Sequence, residues 1–284
     1  TVMDTLVDIF NEHHIHEGLF GVEGKQMPVD TYESLCDTLD DNFNFTSINF
    51  AKLRAVKRED ELELLRIAAK IGDDSFAALL PQLKVGMTEN EVRIILETEM
   101  LKRGSEEPSF ATIIASGNRS SMPHGVASDK VIEAGDFVTI DFGSVYKGYH
   151  SDMTRTIVMG PASELQKKLY SIVLEAQKRG VAAVRAGITG KELDAICRDY
   201  IKEHGYTKEF NHGTGHGLGL EIHEEPVAHT KSDTVFTENM IITVEPGIYI
   251  TGTIGLRIED SVIVKSDGYE VLTHSPKELI ELSI

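Results

Sequence analysis

The sequence predicts an α+β fold in which two α/β halves repeat one another about a pseudo-twofold axis, preceded by part of a small α/β domain. Three observations carry this expectation. Without a gap, "LKVGMTENEVRIILETEMLKRG" (83–104) aligns with "VRAGITGKELDAICRDYIKEHG" (184–205), the kind of self-similarity that marks repeated architecture. The match resumes further on, where "EAGDFVTIDFG" (133–143) resembles "TENMIITVEPG" (237–247), with Asp141 and Glu245 in the same place. Finally, residues 1–57 hold two strand-like stretches, too few to make a stable layer alone.

In chain order, "MDTLVDIFNEH" (3–13) reads as an amphipathic helix, "GLFGVEG" as a strand, "VDTYESLCDTLD" (29–40) as a second helix and "FNFTSIN" as a short strand. The chain opens on Thr1 and on a helix with no strand before it. Residues 1–57 are therefore expected to be part of an N-terminal α/β domain, with "NFAKLRAVKRED" as the passage into a second domain over 58–284. His13, His14 and His16 read as solvated surface, because no carboxylate pair at strand spacing accompanies them. In the repeated segment each copy carries a threonine followed three residues later by glutamate, Thr88 with Glu91 and Thr189 with Glu192. This is a capping box, in which each side chain satisfies an orphan amide at a helix start. Gly104 and Gly205 close the two copies, as helix C-termini prefer.

Composition narrows the class. The chain has 284 residues, 41% of them apolar, enough for a sizeable core. Its apolar runs fall far below the ~18 residues of a membrane span. A net charge of −18 argues against nucleic acid and anionic membrane as partners. Two cysteines, Cys36 and Cys197, make neither a disulfide framework nor a cysteine zinc site, and suit a cytoplasmic chain.

The repeated halves also repeat a carboxylate pattern. "FGSVYKGYHSDMTRTIVMG" reads as a hairpin turning near Tyr146–Gly148, which would make Asp141 and Asp152 cross-strand neighbours. Glu245 and Glu259 have their midpoint at Gly252, the middle of "YITGTIGLR". Val138, Ile140, Val244 and Ile258 flank the four acids, so they are expected to converge in a buried place. Like charges there repel unless protonated or neutralised, and a pair of divalent cations with an imidazole beside it is the economical solution. "HGTGHGLGLEIHEEP" (212–226) supplies His212, His216 and His223 among glycines. Four glycines argue against a helix, at roughly 1 kcal/mol each relative to alanine, and favour a strand or loop approaching something closely.

Taken together, "VTIDFG", "HSDMTRT", "GTGHGLGLEIHEEP", "VEPGIY" and "GLRIEDSVIV" resemble the metal-ligand motifs of the pita-bread metallopeptidases, the group of Xaa-Pro aminopeptidases, Xaa-Pro dipeptidases and methionine aminopeptidases. The resemblance covers about residues 58–284. It implies a pita-bread fold and a dinuclear site with Asp141, Asp152, His216, Glu245 and Glu259 as ligands, Asp152 and Glu259 bridging the metals. It further implies that His212, His223 and His124 of "SMPHGVAS" line the substrate cleft. His223 is the candidate donor to a developing oxyanion, Glu245 a proton shuttle assisted by His124, and Arg257 a group that binds near substrate and holds a ligand carboxylate in place. The partial N-terminal domain, His212 and the "GLRIED" form around Arg257 resemble the proline-specific branch. The expected activity is hydrolysis of Xaa-Pro bonds, in dipeptides or at the N-terminus of peptides with proline second. The expected cofactors are two divalent ions, Mn2+ first, with Co2+, Zn2+ or Fe2+ also tolerated, and the expected assembly is a homodimer. A methionine aminopeptidase and a non-catalytic peptide-binding module are the alternatives.

Overall fold

Both predicted capping boxes form. Thr88 Oγ1 accepts from Glu91 N at 3.1 Å while Glu91 Oε2 accepts from Thr88 N at 2.7 Å, and Thr189 with Glu192 repeats the exchange at 3.2 and 2.8 Å. The helices they start, Glu89–Lys102 and Gly190–Glu203, are each followed by a glycine in the left-handed region, Gly104 (φ +98°) and Gly205 (φ +90°). The repeat extends to packing. Val92, Leu96 and Met100 are buried along one stripe, and Leu193, Cys197 and Ile201 occupy the aligned places on the other helix.

The computed structural model describes residues 1–39 and 41–283. They form two compact units, Thr1–Leu53 and Arg54–Ile284. The first contains α1 (Val2–Glu12), β1 (Gly18–Glu23), α2 (Val29–Thr38) and β2 (Phe43–Ile48). Its strands pair in parallel from Gly18 opposite Phe43 to Glu23 opposite Ile48, and Phe10 stacks on Phe20 and Phe43. Asp40, the last residue of the helix expected over 29–40, lies outside the described residues.

The second unit opens with the short α3 (Ala51–Ala55, shared with the end of the first), then α4 (Glu59–Leu79) and α5 (Glu89–Lys102). Next come β3 (Ile113–Ser116), β4 (Phe137–Phe142), the hairpin β5 (Val145–Tyr146) and β6 (Tyr149–His150), and β7 (Met153–Met159). The second half repeats the order with α6 (Glu164–Ala183), α7 (Gly190–Glu203), β8 (Gly215–Gly217), β9 (Glu224–Ala228), β10 (Ile241–Val244), β11 (Gly247–Ile250), β12 (Ile254–Arg257), β13 (Asp260–Lys265), β14 (Gly268–Val271) and β15 (Ile280–Leu282). The first-half sheet has the order β15-β7-β4-β3, with β15 added in parallel to β7; the second-half sheet runs β10-β13-β14.

Two large cores lie against these sheets. Phe76, Val92, Leu96, Ile140 and Phe142 belong to one, and Leu169, Val173, Leu193, Val244 and Val262 to the other. Phe137 and Val158 of the first half pack into the second-half core, so the two halves share an interior. Among the described residues no helix is long and apolar enough to cross a membrane.

Candidate metal centre and cleft

Strand register brings the acids together. In the second half, Gly247 pairs with Arg257 and Val244 with Asp260, which leaves Glu245 and Glu259 facing each other between the two ladders, as the midpoint at Gly252 predicts. The first half differs. Asp141 pairs with Thr154, not with Asp152, because the tight turn centres between Lys147 (φ +49°) and Gly148 (φ +78°), a whole residue beyond the midpoint of Asp141 and Asp152. The shift is an even number of residues across the ladder, so Asp141 and Asp152 keep the same face of the sheet. Thr154, which spacing did not single out, takes the place opposite Asp141.

Asp152, Glu259 and His216 converge, with one ligand atom from each within 4.8 Å of the others. His216 Nε2 lies 3.5 Å from Asp152 Oδ2 and 3.4 Å from Glu245 Oε1. Its Nδ1 is 3.0 Å from the Gly217 carbonyl, which only accepts, so the proton sits on Nδ1 and the Nε2 lone pair is left available to a cation. Burial lowers the His216 pKa and keeps the ring neutral.

Charge makes this place expensive without a cation. Burial first, then the neighbouring carboxylates Glu259, Asp141 and Glu245, hold Asp152 well above the usual carboxylate range. Glu259 is raised by burial and by Glu245 and Asp141, and burial pushes Glu245 up to about 7 against the pull of Arg257. Asp141 Oδ1, Asp152 Oδ1 and Glu259 Oε1 are buried and make no hydrogen bond. Buried oxygens of this kind are rarely left without a partner. Asp152, Glu259 and His216 form the cluster, Asp141 lines the same cleft, and unpartnered oxygens beside an imidazole nitrogen fit divalent cations in donor type and in charge.

The remaining oxygens are held by a chain of donors that sequence reading named only in part. Arg257 is buried; its Nη2 donates to Asp141 Oδ2 at 2.5 Å, its Nε to Thr154 Oγ1 at 3.0 Å and its Nη1 to the Tyr249 hydroxyl at 2.6 Å. Thr154 Oγ1 passes the line on to Glu259 Oε2 at 2.6 Å. Tyr249 in turn donates to His212 Nε2 at 3.1 Å, and His212 Nδ1 donates to the Gly213 carbonyl at 2.7 Å. Both ring nitrogens of His212 are thus engaged, and burial with Arg257 nearby depresses its pKa to about 3. Thr243 Oγ1 accepts from His216 N and donates to Glu245 Oε1. Thr154, Tyr249 and Thr243 are the contributors that sequence reading missed. Strand parity was the available signal for Thr154, two residues from Asp152 on the same face.

A cleft of about 390 Å³ opens on this cluster. His124, His212, His216 and His223 all line it, and Phe110, Ala111, Ile113, Pro123, Val126 and Ile222 are its apolar lining. The His223 ring stands edge-on to His216 at 4.4 Å, while His124 faces it from the loop between β3 and β4. The nine residues that the motifs select therefore share one cleft.

Two pseudo-symmetric α/β halves, with carboxylates and an imidazole converging between them, define the pita-bread class of metallopeptidases. Residues 63–266 match the model of metallopeptidase family M24, and the chain belongs to that family. It is 50% identical over 228 residues to the Xaa-Pro dipeptidase of Pyrococcus furiosus, a match that covers 80% of this chain and 66% of the relative, so the chain spans about two-thirds of that protein's length. The Xaa-Pro dipeptidase of Bacillus anthracis superposes with a TM-score of 0.96 at 50% identity, covering 99% of this chain and 79% of the other. The X-Pro aminopeptidase of Thermotoga maritima gives 0.92 at 39% identity, covering 100% and 80%.

Proposed function

We propose that this chain is a dinuclear metal-dependent exopeptidase that hydrolyses the bond before proline, in Xaa-Pro dipeptides or at the N-terminus of peptides with proline second. The observation that carries the reading is the set of unpartnered buried oxygens on Asp141, Asp152 and Glu259, gathered with His216 at the floor of a histidine-lined cleft. The names of the similar proteins support the choice of substrate.

Asp141, Asp152, His216, Glu245 and Glu259 would hold the two ions, and Mn2+ suits a set rich in carboxylates. When bound, the metal pair makes hydroxide available near neutral pH and polarises the scissile carbonyl. The chain's own groups do the rest. His223 donates to the carbonyl oxygen as negative charge develops on it. Glu245 takes up a proton and, with His124, delivers it to the proline nitrogen as that nitrogen leaves. Arg257 keeps Asp141 oriented beside the substrate. His212, with both ring nitrogens engaged, gives the cleft shape rather than a free donor.

Residues 58–284 carry this machinery, and residues 1–57 belong to an N-terminal α/β domain that pairs subunits in a homodimer. Two unpaired cysteines, one exposed and one buried, suit a reducing cytoplasm. The test uses the purified protein loaded in turn with Mn2+, Co2+, Zn2+ or Fe2+ and assayed on Xaa-Pro, Xaa-Pro-Yaa and Met-Ala peptides. Metal-dependent cleavage confined to the proline peptides is expected. Preference for Met-Ala, or metal binding without hydrolysis of any of them, would replace this reading by the aminopeptidase or the binding module.

A further inference from the structure

Two buried carboxylates outside the metal centre are wired alike, one in each half. Glu89 opens α5 and is fully buried. Its Oε1 accepts from the amide and the hydroxyl of Ser116, both at 2.8 Å, and its Oε2 from the amide and hydroxyl of Ser128, at 3.1 and 2.7 Å. Arg119 donates to the same Oε2 and, through its other nitrogen, to the Val126 carbonyl at 2.9 Å. Asp194 lies on α7 and is equally buried. Its Oδ1 accepts from the amide and hydroxyl of Thr214, at 3.1 and 3.0 Å. Arg198 grips both of its oxygens, at 2.7 and 2.9 Å, and donates to the carbonyls of Phe210 at 2.9 Å and His212 at 2.6 Å.

The order of parts is the same in both: a buried carboxylate, a hydroxyl residue bound through both its amide and its hydroxyl, and an arginine that reaches on to carbonyls of the loop. What the loops carry is also the same. The first runs from Ser116 to Ser128 and bears His124; the second runs from Phe210 to Thr214 and bears His212. The two carboxylates are not equivalent positions of the repeat. Glu89 aligns with Gly190, where a Cβ would stand 2.1 Å from the Val227 carbonyl, so no side chain fits there and the acid comes from the next turn. The aligned partner of Asp194 is Arg93, which pairs with Glu97 at 2.7 Å.

We infer that Glu89 and Asp194 are positioning residues: each fixes the loop that presents a cleft histidine of its own half, Glu89 for His124 and Asp194 for His212. The inference rests on the reading of those histidines as part of the peptidase cleft. Charge-assisted bonds of this kind are the strong ones, and a buried carboxylate holding five donors, as Glu89 does, or four, as Asp194 does, leaves its loop few other arrangements.

The test is a set of double-mutant cycles on the metal-loaded enzyme, with Glu89→Gln made alone and in a His124→Ala background, and Asp194→Asn alone and in His212→Ala. Each single change is expected to lower kcat/KM roughly 10- to 100-fold, the range for partners that orient functional side chains, with metal content unchanged. In the matching histidine background the further loss should be under about twofold, since residues acting through one another are not additive. Amide exchange should quicken over 117–128 with Glu89→Gln and over 210–214 with Asp194→Asn, each without the other. Losses that multiply fully in the matching background, or exchange that does not localise, overturn the inference. If Glu89→Gln fails to fold, Ser128→Ala removes one donor and must show the same pattern in weaker form; its absence counts against the inference equally. If the unsubstituted protein cleaves no proline peptide, the functional reading fails, and the exchange pattern alone still decides the positioning role.

Discussion

Glu245, with its pKa pushed up to about 7 from 4.5 by burial, makes a contribution of definite sign to the protein's pH response. Its folded-state pKa lies above the unfolded value, so between about 4.5 and 7 the metal-free folded chain keeps a proton that the unfolded chain has released. The contribution of Glu245 to the stability of the metal-free protein must then fall as pH rises through that window, while the buried His212 and His216, whose pKa burial lowers from 6.5, contribute in the opposite direction below that value. Asp152 and Glu259, raised by burial and by neighbouring carboxylates, act in the same direction as Glu245. Metal ions compete with these protons, so the stabilisation by Mn2+ should grow over the same window, by up to about tenfold in apparent affinity per pH unit for each proton displaced. Melting curves from pH 5 to 8 with chelator and with Mn2+ measure both trends. In Glu245→Gln the metal-free midpoint should fall less, or rise more, from pH 5 to 7 than in the unsubstituted protein; an unchanged slope would contradict the crowded-carboxylate account. The five candidate ligands could be proposed from the sequence because a donor type at a fixed spacing is a sequence property. Tyr249 and Glu89 could not, because their bonds join residues brought together only by the fold, as Glu89 and Ser128 are.

The elements show where patterning suffices and where a turn decides. Apolar spacing and paired capping boxes placed α5 and α7, and the midpoint at Gly252 placed Glu245 opposite Glu259. The first hairpin escaped because Lys147 enters the left-handed region despite its side chain, which moves the turn centre and the register with it. The glycine-rich run opening at His212 forms strand and loop as expected, and its glycines have distinct uses. At Gly215 a Cβ would stand 1.8 Å from the Thr243 carbonyl, so β8 can lie against β10 only without a side chain there. Gly215→Ala should therefore displace His216 from Glu245 and destabilise the fold by about 1–3 kcal/mol or more. Denaturant midpoints together with metal content check this; a variant that keeps wild-type stability and both ions would show that the close approach is not required.

Across the whole molecule, the segment after β14 ties the two halves together. Asp73 of α4 accepts from the amides of His274 and Ser275, both at 2.7 Å, and β15 extends the first-half sheet. Behind the metal centre, Arg155 is fully buried and donates to Asp260 Oδ1 at 2.9 Å, to the carbonyls of Ser275 and Pro276, and to the carbonyl of Glu259. Burial pushes the Asp260 pKa upward, but Arg155 and Lys277 hold it below the usual range. Removing one partner leaves a buried charge uncompensated, so Arg155→Ala should cost about 3–5 kcal/mol, read by urea unfolding; a loss under about 1 kcal/mol would show that the pair is not what joins the halves. None of this network was legible in the sequence, which gives the repeat but not what locks its two copies. That five residues from both halves hold a catalytic pair of divalent ions can be checked by counting metal in the purified protein while following hydrolysis of an Xaa-Pro dipeptide. Two Mn2+ per chain and metal-dependent turnover are expected, with both metal occupancy and turnover lost in Asp152→Asn and Glu259→Gln while helical circular dichroism persists. Full occupancy and full activity in either variant, or turnover by the chelated wild-type protein, would contradict it.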